Sequence, residues 1–111
     1  MSGDIKAEKG CIVSVHYIGR FQGGKVFDTS IRSEAEKAGL FNPARDYKPL
    51  KITLGAGQVI RGFEEALYGM KVNEEKEVTI PPAKGYGEKG KHPLAGKTLV
   101  FKLRVTNIQK P

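Results

Sequence analysis

The sequence predicts an α+β domain, an antiparallel sheet of four or five strands with one short helix across one face. Three observations carry this. Two runs alternate apolar and polar residues with period two, Cys11–Gly19 and Leu99–Val105. A single stretch, Gln58–Gly69, instead repeats its apolar residues at helical steps. Between these segments, glycine, proline and asparagine stand where a chain must turn.

In the first run Cys11, Val13, Val15 and Tyr17 share one side while Ser14 and His16 take the other, as in a half-buried strand. Cys11 is the sole cysteine, so no internal disulfide forms, and its place in a strand suits a small core hydrophobe. Gln22-Gly23-Gly24-Lys25 is a turn, and Val26–Ser30 resumes an extended path that pairs antiparallel with the first strand. Residues 31–49 form a long excursion with a short helix near Ser33–Ala38, ended by Gly39, then a turn at Asn42-Pro43. Excursions of this length often carry binding surfaces.

Leu50–Leu54 is the next strand. The helix at Gln58–Gly69 places Val59, Ile60, Phe63, Ala66, Leu67 and Met70 on one face, with Gly69 as its stop. Glu77–Ile80 is a strand ended by Pro81-Pro82, and Leu99–Val105 is the last, with Leu99, Phe101, Leu103 and Val105 inward. The polar, glycine-rich segment between them reads as an exposed flap. One short helix leaves part of such a sheet uncovered, and that gap is the natural place for an apolar pocket.

At 111 residues the chain fits one domain with one core. No stretch has the apolar run of a signal peptide or membrane span, so a cytoplasmic protein is expected. With two histidines far apart and one cysteine, no metal site is expected. The net charge of +7 is concentrated in residues 84–111, which carry seven basic side chains against Glu88 alone. Such a patch attracts nucleic acid, membranes or acidic clients, but without a basic helical stripe or arginine cluster it reads as a solubilising face.

The segment "GQVIRGFE" at residues 57–64 imitates a phosphate-binding loop, with two glycines five apart. Phe63 and Glu64, however, occupy the positions where such a loop needs lysine and then a hydroxyl. Acidic residues in the first helical turns repel phosphate. Phe27, Val59, Ile60, Phe63 and Phe101, with Tyr17, Asp28 and Tyr86, can line one apolar cavity with a few polar handles, although each apolar member also fits a plain core position.

Tyr17, "VFDTS" (26–30), "LGAGQVIRGFEEAL" (54–67), "IPPAKGYG" (80–87) and "TLVFKLRV" (98–105) together resemble the FKBP family of peptidyl-prolyl cis/trans isomerases, in order and over nearly the whole chain. "GLFNPARDYKPL" and "HPLAGKTLVF" are similar to its archaeal and SlyD-like branch. That branch usually carries a chaperone domain inserted in the flap, and many SlyD members add a metal-binding tail; neither is expected here. The resemblance implies a single domain over 1–111, with a flap at 87–98 and five or six antiparallel strands wrapped around one short helix.

It also implies the site. Phe63 stands at the aromatic floor, Tyr17, Phe27 and Phe101 at the walls, Val59 and Ile60 at the rim, and Leu50 where a phenylalanine is frequent. Asp28 and Tyr86 are the polar members and Leu94 a further wall residue, while Gly85-Tyr86-Gly87 departs from the family's A-Y-G. Asp28, Tyr86 and Phe63 are the implied catalytic residues. The expected activity is non-covalent isomerisation of X-Pro bonds without a cofactor, the alternative being a peptide holdase with incidental catalysis. Expected partners are proline-containing peptides, unfolded clients and macrolides of the tacrolimus and rapamycin type, with no nucleic acid or membrane, and the chain as a monomer.

Overall fold

The computed structural model describes residues 5–111. Five strands form one antiparallel sheet: β1 (Ile12–Phe21), β2 (Val26–Thr29), β3 (Leu50–Thr53), β4 (Glu75–Ile80) and β5 (Leu99–Gln109). Helix α1 (Arg32–Lys37) lies between β2 and β3, and α2 (Arg61–Leu67) between β3 and β4. No described helix is long and apolar enough to cross a membrane.

β1 organises the sheet. One of its edges runs beside β5 over its whole length. The other is shared in two parts, with β3 alongside Ile12–Val15 and β2 alongside Ile18–Arg20. The excursion over residues 30–49 links β2 to β3. Tyr17 falls in the gap between them, where its carbonyl still accepts the Ser30 N–H at 3.1 Å but its N–H meets no backbone acceptor. The Ser30 and Thr29 side chains complete the bonding: the Tyr17 N–H donates to Ser30 Oγ at 2.9 Å, and the Thr29 hydroxyl donates to the Tyr17 carbonyl at 2.7 Å. Both hydroxyl residues are buried, and these bonds satisfy groups whose burial would otherwise be costly. Ser30 Oγ also lies 2.9 Å from His16 Nδ1, an acceptor for its remaining hydrogen. Burial, and then Arg104, lower the His16 pKa and favour that neutral ring.

Two irregularities re-aim side chains. Between Gly19↔Asp28 and Arg20↔Val26 the register skips Phe27, a β-bulge in β2. The bulge lets the consecutive residues Phe27 and Asp28 border the same hollow. A second register shift, between Ser14 and Val15, leaves Thr106 unpaired on β5.

The core lies between the sheet and α2: Cys11 just before β1, Val13, Val15 and Tyr17 from β1, Leu99, Phe101, Leu103 and Val105 from β5, and Phe63, Ala66 and Leu67 from α2. These are the inward positions of the alternating runs. Strand β5 extends four residues beyond Val105, and β4 begins at Glu75 rather than Glu77. Helix α2 starts three residues later than its apolar period predicts. Gly57 is held at φ 70°, the Gln58 side chain accepts the Thr53 N–H at 2.8 Å, and Ile60 is extended at ψ 149°. The chain therefore approaches the helix as a strap, and Val59 and Ile60 belong to that strap. Gly62 is where α2 meets β4: a Cβ there would lie 2.7 Å from Ile80 Cγ2.

Candidate functional site

Between α2, the strap and the inner face of β1, β2 and β5 lies an open hollow of about 170 Å³. Tyr17, Phe27, Asp28, Leu50, Gln58, Val59, Ile60, Phe63, Tyr86 and Phe101 line it. Drug-sized ligand pockets usually span roughly 300–1,000 Å³, so this one is scaled to a single ring or side chain. Hollows of about 210 and 300 Å³ occur elsewhere, but their walls carry charged side chains such as Glu75 and Lys102 and do not suit an apolar guest.

The floor and walls are one aromatic cluster. Phe63 meets Phe101 edge to face at 5.2 Å and Tyr17 at 5.8 Å. Phe27 meets Phe101 at 5.6 Å, nearly perpendicular, and Phe21 packs behind Phe27 at 5.0 Å. Edge-to-face packing fixes ring planes as well as positions. Gly19 permits this closeness, because a Cβ there would lie 2.7 Å from Phe27 Cζ and 2.9 Å from Phe101 Cε1.

A polar network stands at one rim. The Tyr17 hydroxyl donates to Asp28 Oδ2 at 2.7 Å. Asp28 Oδ1 accepts from the Thr29 N–H and from Arg45 Nη1, each at 2.8 Å, and Arg45 Nη2 donates to the Tyr17 hydroxyl oxygen at 3.1 Å. Burial, reinforced by the bond to Asp28, pushes the Tyr17 pKa up to about 12. The phenol is therefore a neutral donor at physiological pH. The Asp28 bond likewise holds the Arg45 guanidinium protonated beyond its ordinary range.

Tyr86 also borders the hollow, its ring stacked on His92 at 4.0 Å and 11°. The Tyr86 hydroxyl makes no hydrogen bond within the described residues. The Ile60 N–H is also without a partner among them. An open hollow with two unused donors at its edge is equipped to bind an apolar ring flanked by carbonyl groups.

The structure brings together nine of the ten expected site residues and leaves Leu94 out. Leu94 sits in the flap, half-buried, with its N–H bonded to His92 Nδ1 at 3.0 Å, so the flap folds on itself. Two lining or networked residues lacked a signal in the sequence. Gln58 joins through the strap, and Arg45 reaches Asp28 from a loop with no apolar period. The phosphate reading also fails on geometry: Glu64 Oε2 accepts the Gly55 N–H at 2.7 Å, so a carboxylate occupies the loop where an anion would sit.

Residues 3–106 match the model of the FKBP-type peptidyl-prolyl cis-trans isomerase family. The chain is 51% identical over 80 residues to a short-type peptidyl-prolyl cis-trans isomerase of Methanocaldococcus jannaschii, covering 72% of this chain and 50% of that protein. It is 34% identical over 108 residues to peptidyl-prolyl cis-trans isomerase FKBP2 of Homo sapiens, covering 96% and 67%. It is 39% identical over 106 residues to FK506-binding protein 2 of Aspergillus fumigatus, covering 94% and 69%. The chain thus spans half the length of the archaeal relative and about two thirds of the other two. A family match over almost the whole chain, joined to an aromatic hollow of single-ring size, leads to one assignment: the chain belongs to the FKBP-type peptidyl-prolyl cis-trans isomerase family.

Proposed function

We propose that the chain catalyses cis/trans rotation of X-Pro bonds in peptides and unfolded proteins, with proline seated in the hollow on Phe63. The observation that carries this reading is the aromatic cradle of single-ring size, bordered by the Tyr17–Asp28–Arg45 network.

The chemistry needs no covalent step. Rotation sacrifices amide resonance, a barrier of roughly 18–20 kcal/mol, and uncatalysed exchange takes about tens to hundreds of seconds. Water stabilises the planar, charge-separated amide more than the twisted one, whose carbonyl is less polar. Moving the bond into an apolar cradle removes that preference, so the pocket favours the transition state over both ground states. Phe63, Tyr17, Phe27 and Phe101 hold the prolyl ring, with Leu50, Val59 and Ile60 closing its rim. The Ile60 N–H and Tyr86 hydroxyl take the substrate carbonyls that flank it. Asp28 orients the Tyr17 hydroxyl and faces the polarised amide. The same cradle suits the proline-like ring of tacrolimus-type macrolides.

The test is cis-to-trans exchange of a short X-Pro peptide followed by NMR, with the wild type beside Phe63→Leu and Asp28→Asn. Fast exchange in the wild type that drops in both variants supports the reading. A folded wild type that leaves the exchange rate unchanged refutes it and makes the hollow a binding site alone. Only about ten residues separate Gly87 from Thr98, leaving no room for an inserted client-binding domain. Efficient turnover of short peptides, with weak acceleration of whole-protein refolding, is therefore expected.

A further inference from the structure

The excursion between β2 and β3 contributes neither floor nor wall to the hollow, yet it delivers Arg45 to Asp28. Four of its side chains form a continuous stack. The Arg32 guanidinium lies over Phe41 at 5.0 Å, Phe41 is nearly parallel to Tyr47 at 5.8 Å and 17°, and Arg45 lies over Tyr47 at 5.0 Å. Tyr47 is tied down in turn, its hydroxyl oxygen accepting the Asn42 N–H at 3.0 Å. The Asn42 carboxamide oxygen accepts the Ala44 N–H at 2.9 Å.

Arg45 is therefore gripped twice. Its face rests on an aromatic ring, while its edge donates to Asp28 Oδ1 and to the Tyr17 hydroxyl oxygen. Phe41 remains 38% exposed, so core burial does not account for this part of the stack. A guanidinium on a long flexible stem loses its fixed orientation unless a plane holds it, and aromatic stacking supplies such a plane.

We infer that Tyr47, backed by Phe41 and Arg32, is a positioning residue: it orients the Arg45 guanidinium and, through it, Asp28 and Tyr17 in the isomerase reaction. This rests on the function proposed above. The alternative is a stack that only tethers the loop, and a double-mutant cycle separates the two. Tyr47→Ala is expected to lower kcat/KM on an X-Pro peptide about fivefold, the size of one good cation–π contact, mainly through kcat. Tyr47→Phe, which keeps the ring, restores most of it. In an Arg45→Ala background, Tyr47→Ala changes nothing further.

A second readout does not depend on turnover. The Thr29 N–H donates to Asp28 Oδ1, so its amide resonance reports where the carboxylate points. That resonance should move in Tyr47→Ala and hold in Tyr47→Phe. Equal losses from Tyr47→Ala in both backgrounds, or an unmoved Thr29 resonance, would overturn the brace while leaving the isomerase reading intact. A wild type inert on the peptide overturns both.

Discussion

Replacing Phe63 by leucine separates a core role from a pocket role. The Phe63 side chain is 3% exposed and makes two edge-to-face ring contacts, with Tyr17 at 5.8 Å and 79° and with Phe101 at 5.2 Å and 82°. Leucine preserves most of the buried apolar area but loses both ring contacts. Each is worth about 0.5–1.5 kcal/mol beyond burial, so the expected destabilisation is about 1–3 kcal/mol. Alanine would cost about 3–5 kcal/mol, a large part of the roughly 5–15 kcal/mol that holds a domain together, and would confuse unfolding with lost function. Urea denaturation gives the stability change, and peptide exchange well below the melting temperature then gives turnover per folded molecule. If the ring is the surface on which proline sits, kcat/KM should fall about tenfold, equivalent to about 1.4 kcal/mol of transition-state binding. A destabilised Phe63→Leu with wild-type turnover per folded molecule would make Phe63 plain core and empty the proposed mechanism of its central residue.

Gly19→Ala would drive a methyl group into Phe27 and Phe101. We expect about 1–3 kcal/mol of destabilisation and a larger loss of exchange, and unchanged exchange in the folded variant would count against the walls as drawn. Asp28→Asn leaves one acceptor oxygen where the carboxylate serves Tyr17, Arg45 and Thr29. Because that side chain is 42% exposed, solvent screening limits the stability cost to about 1 kcal/mol. Exchange should suffer more, and equal effects on both would deny Asp28 a role in the reaction. Stability should also fall in alkali. The folded state holds the Tyr17 proton more tightly than the unfolded chain, with a pKa of about 12 against 10.0. That contribution is whole below about pH 10 and is lost as pH rises toward 12, on the order of 2 kcal/mol. Urea titrations at about pH 9 and 11.5 should show the drop in the wild type and less of it in Tyr17→Phe; parallel losses would refute this origin.

Periodicity made much of the fold legible without any structure. Burial on one side of Cys11, Val13, Val15 and Tyr17, and of Leu99, Phe101, Leu103 and Val105, follows from local geometry, because successive strand residues point to opposite faces. The helical period found α2, though it overran the true start by three residues, since the strap residues Val59 and Ile60 are also apolar and extend the pattern. The motif residues Phe27, Asp28, Phe63, Tyr86 and Phe101 pointed to the site by resemblance.

Tertiary structure decided the rest, for reasons no local pattern encodes. That β2 and β3 share one edge of β1 depends on contacts far apart in sequence, and so does the gap at Tyr17 that Thr29 and Ser30 fill. The bulge that turns both Phe27 and Asp28 toward the hollow is a register event between two strands. Arg45 and Gln58 are polar residues on loops, where no period marks a direction, and only the folded path carries them to the site. Leu94, in a flap tip that the resemblance aligns least well, stays out of the lining, its backbone N–H turned onto His92. Sequence alone determined which side chains must leave water. Which of them meet, and which polar groups border the place where they meet, was settled by long-range strand pairing and side-chain packing.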